Sequence, residues 1–311
     1  MSWVVAVAQM LLVAVLAPFT IGVTKAVRAR LEGRAGGRFG QPWRDLRKLL
    51  RKPPISPADA GMFFLAAPPV LMATSLIVAF TAPFVTTVGV GGSADLIVVV
   101  GVLLLGTVAL ALAGLDTGTA FGGMGSSREM AIAALVEPTL LLSVFALSTR
   151  VGTTSLGRIV EAGASDPARV FTPTSLLALA ALGIAVLAET GRIPVDNPST
   201  HLELTMVHEA MTLEYAGRDL AQVEWASAMR LTILLGLLGN LFVPWGVATE
   251  LSPGWLAFGA VALVVKVLGL AALLAAGEVF LAKLRLFRMP ELLAGSFALA
   301  LLAVLASTIL A

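Results

Sequence analysis

The sequence predicts an all-α polytopic membrane protein of about eight transmembrane helices. Three observations carry this: hydrophobic residues make up 58% of the 311-residue chain, charged residues only 13%, and mean hydropathy is +0.94. Soluble domains carry about 25% charged residues, so a soluble fold with so little charge could not cover its own surface. The same numbers exclude intrinsic disorder, nucleic-acid binding and a secreted disulfide scaffold. The chain has no cysteine, which removes thiol nucleophiles and thiolate-held metal clusters from its own chemistry.

About 20 apolar residues cross a hydrocarbon core of about 30 Å as helix. By that rule the spans fall at 3–24, 61–85, 95–115, 129–149, 173–190, 227–247, 254–281 and 291–310. They form a single transmembrane domain over 1–311, with long polar loops at about 25–60 and 191–226. The first span lacks a basic leader and is too long for a signal core, so it reads as a retained anchor. The loop after it carries ten basic residues, from Lys25 to Lys52, and the other loops and helix ends of that side add seven, Arg230 among them. The opposite side holds Arg150, Arg158 and Arg169, and Lys266 lies inside the seventh span. The positive-inside rule then puts loops 1, 3, 5 and 7 in the cytoplasm and both termini outside, in the cell membrane. Gln41–Lys52 sets Leu46, Leu49 and Leu50 at helical spacing among basic residues, as an interfacial amphipathic helix would. The basic loop itself reads either as a topology determinant against anionic lipid or as a docking surface.

Ionisable groups at membrane depth are costly and face a protein interior or water. Glu137 is the clearest, about 12 Å along its span from Glu129 and followed by Pro138, which denies its helix a hydrogen bond. It reads as an ion-handling carboxylate, against the plainer reading of a protonated structural donor. Glu189 and Glu278 lie near helix ends, where they either join a path or reach headgroups. Lys266, mid-span, calls for a carboxylate partner in the bundle, Glu137 being one candidate. Asp116 reads as a cap or part of a cavity mouth.

Loop 5 is dense in chemistry: Glu203, Glu209, Glu214, Asp219 and Glu224, with His201 and His208. Thr200 and Glu203 form a capping box. A helix running from there to Tyr215 would set Glu203 and Glu214 on one face and the histidines on the other. Histidines seven residues apart are about 10 Å apart along the axis, too far to share one metal ion. The glycine-rich AFGGMGSSRE lacks a P-loop lysine and reads as a flexible turn, with Ser126 and Glu129 capping the fourth span.

Three segments carry a resemblance. ETGRIPVDNPSTHLELTMVHEAMTLEYAGRDLAQVE (189–224), GLDTGTAFGGMGSSREM (114–130) and GQPWRDLRKLLRK (40–52) resemble the subunit 1 family of respiratory complex I. The form here is closer to the membrane subunits of formate hydrogenlyase and group 4 membrane-bound nickel–iron hydrogenases. Respiratory members read ETNR-x-PFDLPEAE where this chain has ETGRIPVDNPSTH. The resemblance implies a subunit that anchors a peripheral redox arm and couples electron transfer to proton or sodium movement. Its acidic path would use Glu129, Glu137, Glu189, Glu203, Glu209 and Glu214; the residues alone add Lys266 and Glu278 to the candidates. Gln41, Arg44, Asp45, Lys48, Arg192 and Asp196 would shape the interface with the redox arm, and Asp116, His201, His208 and Tyr215 a cavity or subunit contact. The implied partners are hydrogenase-like large and small subunits, holding iron–sulfur clusters and a nickel–iron site, and antiporter-like membrane subunits. In the respiratory branch the corresponding cavity admits quinone. A quinone-site subunit therefore stays open as an alternative, as does a stand-alone secondary ion transporter.

Overall fold

The computed structural model describes residues 2–57, 59–166, 170–196, 207–281 and 288–309, and each apolar stretch is helical there. Seven helices are long and apolar enough to cross a membrane: α1 (Ser2–Leu31), α3 (Met62–Thr81), α4 (Leu96–Asp116), α5 (Ala120–Val151), α9 (Gly217–Phe242), α10 (Pro253–Phe280) and α11 (Met289–Ile309). The eighth, α7 (Pro173–Glu189), has 17 residues. Three short α-helices, α2 (Gln41–Leu50), α6 (Leu156–Ser165) and α8 (His208–Thr212), and a 3-10 turn at Gly89–Gly92 lie among them.

Local chemistry sets the boundaries. Asp95, Thr119, Thr172 and Ser252 each accept a hydrogen bond from a first-turn backbone N–H of the helix they precede, satisfying donors that a helix start leaves open. Pro173 and Pro253 sit in the first turn, where a missing N–H costs nothing. Gly152 ends α5 at φ 71°, a left-handed residue that glycine adopts without strain.

Here the glycine-rich segment departs from expectation. It is not a turn but the first turns of α5, capped by Thr119. Ser126 does not cap; its hydroxyl donates to Gly122 O and Ala111 O, both at 2.8 Å. A Cβ on Gly122 would overlap the Gly114 carbonyl, and one on Gly125 would sit 2.9 Å from the Ala210 side chain. The glycines are there for close approach of α4 and α8, not for flexibility.

α9 is the most enclosed long helix, with 78% of its apolar window buried, against 22% for α10. It packs on α3, α1 and α10, while α5 packs on α4, α7 and α11. One end of the bundle is tied by the loops after α3 and α9: Thr87 N–H donates to Ala248 O and Ala248 N–H to Val85 O. At the same end, Gln9 and Asn240 hold the α3 exit loop through Ala79 O, Ala82 O, Pro83 O and Phe84 O.

The other end carries α2. The chain folds back after α1 so closely that a Cβ on Gly22 would overlap the Phe39 carbonyl. Pro18 deprives the Ala14 carbonyl of its helical donor. The Trp225 indole N–H donates to that carbonyl at 2.9 Å, and Trp43 of α2 donates to Val15 O at 3.2 Å. The two indoles also meet edge-on at 5.5 Å. Leu46 is buried beneath α2 while Arg44, Arg47 and Lys48 are exposed, the amphipathic pattern its sequence predicts.

Candidate functional site

The centre of the site is Arg230, thirteen residues into α9 and largely buried. Its guanidinium is hydrogen-bonded to Glu189 of α7, donates to Thr107 Oγ1 of α4 at 2.6 Å and to Leu103 O at 3.2 Å, and lies 3.8 Å from Glu137 of α5. Three helices therefore deliver one cation and two carboxylates to a single point, and α4 adds a hydroxyl and a backbone carbonyl. Glu137 and Glu189 are 6% and 8% exposed. Neither Glu137 oxygen accepts a hydrogen bond from a described residue. One guanidinium balances one carboxylate, so the cluster carries either one excess negative charge or one proton.

A cavity of about 140 Å³ opens beside the cluster, room for several water molecules. Glu129, Glu189, Arg192, His208, Glu224 and Arg230 line it together with Thr74, Ser75 and Ser227. His208 Nε2 and Ser227 Oγ are 3.2 Å apart across α8 and α9. The cavity thus joins the Arg230 cluster to the chain between α7 and α9.

Glu278 forms a separate centre. It is buried, paired with Arg192 at 3.4 Å and Arg28 at 3.7 Å, so it is not a free charge reaching headgroups. Nor is Glu189. Burial lowers the Arg192 pKa below its ordinary value, with Glu278 opposing. Asp196 is buried nearby in sequence.

Other candidate residues lie away from this cluster. Asp116 accepts from Phe64 N–H at 2.9 Å, capping the start of α3. Tyr215 stacks on Phe64 with centroids 4.1 Å apart, and its hydroxyl donates to Phe64 O at 2.8 Å. Burial, then Asp219 and Asp116, push the Tyr215 pKa above its ordinary value. On α2, Gln41 donates to Asp45 at 2.9 Å and Lys48 lies 3.9 Å from it, leaving Arg44 and Lys48 pointing outward. Glu209 and Glu214 are half-buried around α8. The helix there stops at Thr212, so the expected run to Tyr215, and the shared face with Glu214, is corrected. Glu203, His201 and the capping box lie outside the described residues.

Lys266 also differs from expectation. Its partner is not a carboxylate: Nζ donates to Asn240 Oδ1 at 2.9 Å. Among the described residues no ion pair includes it. Arg230 is the residue that sequence reasoning missed. A span drawn from 227 by hydropathy made it a helix-end charge, whereas α9 begins at Gly217. The signal was the continuous helical stretch GRDLAQVEWASAMR, in which the alanines at 221, 226 and 228 are buried. Among the described residues no three His, Asp or Glu side chains gather as metal ligands.

Comparison with known proteins adds to this geometry. The profile of the family described as NADH dehydrogenase matches residues 3–309. Hydrogenase-4 component C of Escherichia coli K12 is 34% identical over 302 residues, 96% of this chain and 93% of that protein. Formate hydrogenlyase subunit 4 of the same strain is 31% identical over 299 residues, 95% of each. An NADH-quinone oxidoreductase subunit of Koribacter versatilis is 32% identical over 192 residues, 57% of this chain and 43% of that protein. Among solved structures, a chain of the membrane-bound sulfane sulfur reductase, an archaeal respiratory membrane complex, matches with a TM-score of 0.83. That likeness covers 98% of this chain and 99% of the other at 19% identity, and it is a likeness of fold.

Proposed function

Since the chain belongs to the NADH dehydrogenase family of complex I subunit 1-like membrane proteins, we propose that it is the membrane-anchoring and ion-coupling subunit of a hydrogenase-like redox complex. The observation that carries the coupling role is the sharing of Arg230 between Glu137 and Glu189 inside the bundle. The two full-length relatives, a hydrogenase-4 component and a formate hydrogenlyase subunit, support the hydrogenase-like form of the complex.

In this reading the α2 end faces the cytoplasm and receives a peripheral arm whose subunits hold the iron–sulfur clusters and a nickel–iron site. Arg44, Lys48 and Arg192 form the contact. A change of charge in the arm alters the field along the cavity. Arg230 then leans towards Glu137 or Glu189, and the carboxylate it leaves takes a proton delivered through the cavity past Glu129 and His208. The reverse shift releases that proton towards a neighbouring membrane subunit. No covalent step is asked of this chain. Lys266 and Glu278 lie outside this path, Glu278 serving to fix Arg28 and Arg192 at its mouth.

The test is Glu137→Gln in the assembled complex, with ion translocation and redox turnover measured side by side. Retained turnover with lost translocation is expected. Full translocation would remove Glu137 from the path and overturn the proposal.

A further inference from the structure

α2 packs on α1 and α9, with Arg44 and Lys48 exposed on its outer side. On its inner side the Trp43 indole N–H donates to Val15 O at 3.2 Å. Among the described residues this is the only side-chain hydrogen bond from α2 to another helix. Trp225 of α9 donates to the preceding carbonyl of α1, Ala14 O, at 2.9 Å. That oxygen is open to a foreign donor because Pro18 has no N–H to give it. Two helices therefore hang on adjacent carbonyls of α1, and their indoles meet edge-on at 5.5 Å. A tilt of α2 either breaks the Trp43 bond or presses on the Trp225 ring.

Trp225 sits on the back of the turn that walls the cavity. Its neighbours Glu224, Ala226, Ser227 and Ala228 all line that space, as does Arg230. Arg230 follows five residues later, about 7.5 Å along the axis and about 140° around it. A push on Trp225 from one side of α9 is thus delivered to the guanidinium on the other. Phenylalanines would supply comparable apolar contact at both positions. What the indoles add is the pair of N–H groups, one of them for a carbonyl that would otherwise lack a donor.

We infer that Trp43 and Trp225 are positioning residues for Arg230, transmitting a displacement of α2 by its docked partner to α9 and so biasing the guanidinium between Glu137 and Glu189. The two-state element is Arg230 itself, bonded to Glu189 and 3.8 Å from Glu137. The inference rests on the ion-coupling role proposed above, and adds a mechanical link from the docking face to the buried charges.

The test measures ions translocated per electron transferred by the intact complex reconstituted in vesicles. Trp43→Phe and Trp225→Phe each keep an aromatic ring and lose the donor. Each should retain redox turnover and lower the ratio at least about twofold, the low end of what changes along a coupling network produce. Pro18→Ala separates positioning from support. Residue 18 then gives its own N–H to Ala14 O, so α1 gains a helical bond while the Trp225 indole loses its acceptor. This variant should assemble fully and still lower the ratio. Added to Trp225→Phe, it should restore stability but not the ratio. A wild-type ratio in any of the three single variants would overturn the inference. So would turnover that falls in step with translocation, or a ratio that returns with stability in the double variant. Glu137→Gln run alongside keeps the two proposals apart. Full translocation there removes the coupling role itself, whereas lost translocation there with unaffected indole variants removes only the link through α2.

Discussion

Replacing Arg230 with methionine keeps side-chain length while removing the charge that four helices converge on. The guanidinium supplies hydrogen bonds to Glu189, Thr107 and Leu103 and the 3.8 Å pairing with Glu137. Thr107 can fall back on Leu103 O, 3.4 Å away, so its loss is small. Glu189 keeps only a 3.5 Å contact from the Thr107 hydroxyl and Glu137 has no other donor, so two buried acids remain without a cation. Breaking a buried pair from one side costs about 3–5 kcal/mol. Glu189→Gln leaves Arg230 facing Glu137 and should cost less, about 1–2 kcal/mol, the value of a charged hydrogen bond made neutral. The triple variant Glu137→Gln, Glu189→Gln, Arg230→Met removes every charge and should recover at least half of the single-variant loss, because neutral replacement of a whole buried ionic set is close to harmless. Unfolding of the purified protein in detergent micelles titrated with dodecyl sulfate, followed by fluorescence of its five tryptophans, measures all three. Wild-type stability in Arg230→Met, or a triple variant as unstable as that single one, would refute the charge-balance reasoning.

Other expectations follow from the same contacts. Trp225→Phe should cost about 1 kcal/mol for the carbonyl left bare at Ala14, and markedly less in a Pro18→Ala background, where residue 18 supplies the donor; the double-mutant cycle reads the difference. Gly22→Ala should push the 32–40 segment off α1, seen as faster tryptic cleavage at Arg34 and Arg38 than in wild type. Tyr215 is the sole tyrosine, so phenolate absorbance reports it alone and should rise only well above pH 10. Its raised pKa means that the stability it contributes is complete below about pH 10, the value for an unfolded tyrosine, and is lost as pH climbs towards the folded value. A normal titration near pH 10 would contradict its burial.

Hydropathy located the seven long apolar helices and the shorter α7, because the cost of exposing polar backbone to lipid favours continuous apolar helices. It was also what misplaced Arg230, since a window scored by apolarity trims away the helical turns that carry charge. Glu137 was legible because a carboxylate before a proline in an apolar run has no cheap explanation. Its partner was not, because residues 137, 189 and 230 are joined only by how three helices pack. The glycines at 122 and 125 illustrate the same limit. Their sequence is equally that of a loop, and what decides is whether another backbone lies against them. The pairing of Lys266 with Asn240 rather than an acid likewise depends on α9 and α10 being neighbours.

The order of the charges along the chain has a consequence for biogenesis. Glu137 and Glu189 leave the ribosome before Arg230. A glutamic acid can enter the bilayer as a neutral, protonated group, whereas an arginine keeps its charge. The early helices can thus insert with their acids silent, and α9, which brings Arg230, arrives to find its counter-ions already in place. A nascent protein stalled before α9 should remain integrated, while α9 expressed alone should slip back out of the translocon. Charge neutralisation then doubles as a checkpoint: insertion of α9 is favourable only beside α5 and α7, and an unassembled chain exposes a cation that membrane quality control can detect.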